Sequence, residues 1–127
     1  MIAFDTHYLV RHIVQDDEAQ CKIVASTLEE ETKEDRSIRI LDHVLLETAW
    51  VLQKVYDFDR AALADVFEEL SEDAAFSFDD PTQLRSAISL FRNGRADLAD
   101  YLILTAARAE GLELKTFGKQ LRKELKS

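Results

Sequence analysis

"AAFSFDDPTQLRSAISLFRNG" spans residues 74–94 and changes its periodicity halfway along. The first five residues alternate weakly between apolar and polar, as a half-buried strand does. Asp80 then stands where a helix N-cap belongs, Pro81 takes the first helical position, and Gln83 is placed to close a capping box. Leu84, Ile88 and Phe91 line one face of the predicted helix, and Gly94 ends it. A short strand running directly into a capped helix is the building unit of α/β folds.

The same alternation recurs outward from this stretch. "IAF" at 2–4, "IRIL" at 38–41 and "LELKTF" at 112–117 read as strands. Helices are expected at 18–32, 44–56, 61–70, 97–110 and 119–126. In 61–70, Leu63, Val66, Phe67 and Leu70 fall on one helical stripe, and Gly111 stops the helix that begins at 97. Strands alternating with helices imply a mostly parallel sheet covered on both faces. Sites in such sheets lie at the carboxyl ends of the strands.

The 127 residues suit one domain, taken as 1–127. With 46% hydrophobic residues, 3 Gly and 1 Pro, the chain is not a disordered one. No apolar run approaches the roughly 18 residues of a membrane span. The N-terminus lacks the pattern of a signal peptide. The single cysteine, Cys21, cannot form an internal disulfide and fits a reducing cytosol, so a cytoplasmic protein is expected. A net charge of -9 argues against broad electrostatic binding of nucleic acid. The charge is uneven, however. Residues 115–127 hold five bases and one acid, a local +4, which leaves -13 on the rest. Such a tail suits a phosphate backbone or an acidic partner, and equally a solvated terminal helix.

Four acids stand in apolar company. Asp5 follows "IAF", Glu47 sits inside "VLLETAWVL", and Asp97 and Asp100 open the apolar segment "ADLADYLILTAA" at 96–107. A buried ionised carboxylate is costly unless paired or bound to metal. Simpler roles exist for each. Asp5 and Asp97 suit helix caps, and Glu47 suits a partner such as Lys54. Together, acids without matching bases suggest a shared cation on oxygen ligands, Mg²⁺ or Mn²⁺. The spacing of Asp97 and Asp100 puts both on one helical face. Thr6 is placed to bond a metal-bound water or simply to start a helix. Arg92 and Arg95 suit phosphate, or balance nearby acids. Trp50 and Tyr56 read as core or dimer residues. His7 and His12 are off the spacing of a ligand pair, and Cys-x-x-Cys, Gly-rich phosphate loops and a nucleophile elbow are all missing.

"IAFDTHYLVR", "HVLLETAWVL", "NGRADLADYLILTAARAEG" and "TFGKQL", in this order, resemble the PIN-domain family, close to the VapC toxins of bacterial toxin–antitoxin pairs. The resemblance covers essentially the whole chain. It implies a three-layer α/β/α fold, with a mostly parallel sheet of about four to five strands, and metal-dependent cleavage of RNA. Asp5, Glu47 and Asp100 match the family's acidic positions, and Asp97 matches an additional acid one turn earlier. All four are thereby implied as catalytic and metal-holding, with Mg²⁺ or Mn²⁺ as cofactor. Thr6 supports them, and Arg92, Arg95 and Lys119 are the candidate contacts to RNA phosphate. The implied partners are a VapB-like antitoxin, a tRNA, rRNA or mRNA substrate and a second copy of the chain. Two positions depart from the family pattern. His7 replaces the usual Asn or Ser of the first motif, and Gly118 stands where the closing motif has an acid. The second departure raises an alternative, an attenuated homologue that binds antitoxin or RNA.

Overall fold

The structure, a computed structural model, describes residues 1–125. Lys126, the last base of the tail, lies outside the described residues. The chain forms two compact units, Met1–Asp79 and a second beginning at Asp80.

In the first unit, β1 (Ile38–Ile40) pairs in parallel with β2 (Phe76–Phe78), Ile38 opposite Phe76 and Ile40 opposite Phe78. On the other edge of β1, Ala3 forms a parallel bridge with Arg39. The Arg39 N–H donates to Ile2 at 2.9 Å and its carbonyl accepts from Phe4 at 3.2 Å. Ile38 and Ile40 are fully buried, which is why a three-residue strand suffices: β-branched side chains fill the core from the central position. Four helices complete the unit: α1 (Thr6–Ile13), α2 (Glu18–Lys33), α3 (Asp42–Lys54) and α4 (Arg60–Glu72).

The second unit holds α5 (Pro81–Asn93), α6 (Leu98–Ala109) and α7 (Lys119–Leu125). Asp80 caps α5 as its sequence predicts, accepting from the Gln83 N–H at 3.0 Å. The expected stripe of Leu84, Ile88 and Phe91 is buried. Gly111 turns the chain after α6 with φ +69°, a left-handed conformation that suits glycine.

The helices fall within a few residues of their expected bounds, but the strands do not. The segments at 38–41 and 74–78 shorten to three residues each, and 2–4 contributes a single bridge. No strand forms at 112–117 among the described residues. Leu112 is 59% exposed there and Phe117 99%, so the alternation lacks the buried side that gives a strand its reason to pair. The eight-residue α1 is the helix for which Asp5 suits the cap, although its bounds were not among those expected. Trp50, read as a core or dimer residue, is 60% exposed and so not part of the core.

His12 on α1 packs edge-on against Phe76 of β2, ring centroids 5.2 Å apart. Burial lowers its pKa below the usual value, and Asp73 opposes this only in part. The unfolded chain therefore takes up a proton near pH 6.5 that the folded chain resists, and stability is lost as pH falls through that region. Tm should drop between pH 7.5 and 5.5, and the drop should shrink in His12→Gln. Melting curves of both proteins across that range check this; equal slopes would remove His12 from the account.

Candidate active site

Each unit carries one pair of the sequence-predicted acids. In the first, Asp5 leaves the bridge at Ala3 and immediately caps α1, its carboxylate accepting from the Tyr8 N–H at 3.0 Å. The next residue, Thr6, is buried, and its hydroxyl donates to Glu47 of α3. That bond joins residues 41 apart in sequence and brings Glu47 to the start of α1. The start of α3 is fixed in its turn by Asp79. Leu41, its N-cap residue, offers no side-chain oxygen, and Asp79 at the end of β2 accepts from the Asp42 N–H at 3.0 Å instead. Arg39 lies 3.4 Å from the same carboxylate and bonds Ser77 at 3.1 Å.

In the second unit, Asp97 is the N-cap residue of α6 and Asp100 its third residue, and the two form a capping box. Asp100 accepts from the Asp97 N–H at 3.2 Å. The adjacent carboxylates sit at the positive end of the helix dipole, which favours negative charge. One residue on, Tyr101 is fully buried.

The acids are less buried than their sequence surroundings suggest. Asp5, Glu47 and Asp97 are exposed and Asp100 is half-buried. An apolar helix presents them at its ends or on its wet face, so burial does not single them out. Among the described residues none of the four is ion-paired, and no group of three or more His, Cys, Asp or Glu side chains is gathered closely enough to hold a metal ion. Each pair offers two carboxylates of hard oxygen donors. That donor set fits Mg²⁺ or Mn²⁺, which one or two carboxylates hold together with waters and substrate phosphate. Of the candidate phosphate contacts, Arg95 and Lys119 are exposed and Arg92 is half-buried in the last turn of α5. Tyr56 is tied to Arg11 at 3.1 Å and Asp16 at 3.0 Å, so it serves the surface of the first unit. His7, beside Thr6, lines a cavity of about 200 Å³ with Tyr8, Arg11 and Ile23. Sequence reasoning missed Asp79 and Tyr101. The pattern "DD" before Pro81 drew attention to the second acid alone, and Tyr101 read as one more apolar residue.

The PIN domain family matches residues 2–124. No curated protein and no solved structure matches the chain. PIN domains are three-layer α/β/α folds and generally metal-dependent nucleases acting on nucleic acid. The helices and parallel β1–β2 pair follow that pattern, with two short strands where about four to five were expected. No helix among the described residues is long and apolar enough to cross a membrane.

Asp100→Asn keeps an oxygen that can accept the Asp97 N–H, whereas Asp100→Ala does not. The Ala variant should lose about 1 kcal/mol of stability and the Asn variant a few tenths. Chemical denaturation checks this, and equal losses in both would mean that the charge of Asp100, not its capping bond, supports α6.

Proposed function

The chain belongs to the PIN domain family, and from that premise we propose that it is a VapC-like toxin, a metal-dependent endoribonuclease neutralised by a cognate VapB-like antitoxin. Its substrate is tRNA, rRNA or mRNA. The observation that carries the reading is the way both family acids of the first unit are held: Asp5 by the first turn of α1 and Glu47 by the Thr6 hydroxyl. The metal ligands in this reading are Asp5, Glu47, Asp97 and Asp100, with Mg²⁺ or Mn²⁺ bound. A divalent cation there supplies an activated water and relief of the charge that builds on the phosphodiester. Thr6 fixes the rotamer of Glu47. Asp97 and Asp100 hold each other through the first turn of α6. Arg92, Arg95 and Lys119 bind and orient backbone phosphate. The resemblance to VapC toxins carries a homodimer, a cytoplasmic setting and a single working domain over 1–127 with it.

The test is cleavage of a total tRNA pool by purified protein with Mn²⁺, with EDTA and as Asp100→Asn. Cutting should require metal and fall at least about 100-fold in the variant. Cutting that survives Asp100→Asn would remove Asp100 from the site.

Gly118 favours a second reading, an attenuated homologue that binds antitoxin or RNA. Its exposed backbone places a new Cβ 3.2 Å from the Thr116 hydroxyl oxygen, a close but adjustable contact. Its carbonyl accepts from the Arg122 N–H at the start of α7. The Thr116 hydroxyl oxygen also accepts from the Gly118 N–H at 2.9 Å, so an acid fits at 118 only if that hydroxyl gives by a few tenths of an ångström. Gly118→Asp should raise Mn²⁺ affinity or nuclease rate several-fold. If metal titration and rate both stay at the wild-type values, position 118 does not face the metal.

A further inference from the structure

Tyr101 stands between the acid pair of the second unit and its last helix. The side chain is fully buried, and its hydroxyl makes three hydrogen bonds. It accepts from the Arg95 N–H at 3.1 Å and from the Ala96 N–H at 3.2 Å. It donates to Glu124 of α7. The two amides belong to the turn 94–97, whose last residue is Asp97.

The turn is built around this hydroxyl. A Cβ on Gly94 would lie 1.8 Å from the phenol oxygen, 2.7 Å from Cζ and 2.8 Å from the Leu90 carbonyl oxygen. Only a residue without a side chain lets the backbone pass so close. The φ of Gly94 is -106°, so a left-handed turn is not what glycine serves here. The phenol proton is directed at the Glu124 carboxylate, which leaves the oxygen's lone pairs to the two amides. α7 is anchored by Leu121, 3% exposed, in the turn before Glu124.

We propose that Tyr101 and Glu124 are positioning residues: the hydroxyl, oriented by the carboxylate of α7, holds the backbone of residues 95–96 and so sets where Asp97 and Asp100 present their oxygens. The inference rests on the nuclease reading only for what those oxygens do. Its physical content is an ordered turn. Two amide donors need one acceptor in a fixed place. A phenol oxygen that has given its proton direction to Glu124 turns both lone pairs toward them. The C-terminal helix thereby acts on the acid pair through a single side chain.

The experiment compares Tyr101→Phe, Glu124→Ala and Glu124→Gln in the full chain. Amide hydrogen exchange at Arg95 and Ala96 is read without metal, and the Mn²⁺ concentration for half-maximal RNA cleavage is read separately. Tyr101→Phe should speed exchange at both amides about tenfold relative to the amides of α6. It should also raise the Mn²⁺ requirement several-fold, with cleavage recovering at saturating Mn²⁺. Glu124→Ala should shift both readouts in the same direction by less. Glu124→Gln, whose amide oxygen still accepts the phenol proton, should stay near the wild type. Should Tyr101→Phe not fold, the Ala and Gln pair at 124 carries the test alone. Unchanged exchange at Arg95 and Ala96 overturns the inference, as does faster exchange spread evenly along α6 with the same Mn²⁺ requirement. A wild type without metal-dependent cleavage, but with faster exchange in the variants, overturns the nuclease reading and leaves the positioning role standing.

Discussion

The placement of Asp5 and Glu47 in the first unit depends on one constraint, the parallel alignment of three short segments with β1 in the middle. Parallel neighbours end at a common edge, whereas antiparallel ones would send alternate ends to opposite sides. Ile2–Phe4 flanks β1 on one side and β2 on the other. The chain therefore leaves all three at one edge, through Asp5, through Leu41 and Asp42, and through Asp79. From there the placement is a matter of hydrogen bonds. Asp79 satisfies an amide at the start of α3, and Glu47 follows five residues later on that helix. Thr6, one residue after Asp5, closes the connection.

Burial does not set the four acids apart, and three of them are held by neutral donors, as the helix-capping acids Asp17, Asp59 and Asp80 also are. Exposed acids such as Glu29 and Glu30 need no such donor, because water solvates them. Asp5 is held by a backbone amide, Glu47 by a hydroxyl, and Asp100 by an amide of its own capping box. These neutral donors orient a carboxylate without cancelling its charge, which a lysine or arginine in the same place would do. A donor set of this kind remains available to a hard cation.

Much of this was legible in the sequence, and the gaps have physical causes. The stripe of Leu84, Ile88 and Phe91, with Asp80 and Pro81 before it, specifies α5 almost to the residue, because caps and periodicity agree. The four acids were found through a burial argument that the structure does not bear out for Asp5, Glu47 and Asp97, although position at segment ends pointed to the same residues. Strands were harder to see. Ile38–Ile40 and Phe76–Phe78 pair because partners 38 residues away complete them, and no local pattern reports a partner. At 112–117 the local pattern was good and the burial missing. The role of Gly94 was invisible for a related reason. As a helix stop it was read from the sequence alone, but what demands glycine there is the Tyr101 hydroxyl seven residues on.

Charge completes the argument. The net -9 is not spread along the chain. Residues 1–79 hold seven bases and nineteen acids, a net -12, while residues 80–127 hold nine bases and six acids, a net +3. At physiological ionic strength fields fade over about 8 Å, so an RNA phosphate responds to the charges nearest it and not to the total. The bases of 80–127 lie in the same stretch as Asp97 and Asp100, and Arg95 and Lys119 among them are exposed. A polyanion drawn to that stretch meets the second acid pair within it. The overall acidity that first argued against nucleic acid is thus a property of the other part of the chain, residues 1–79.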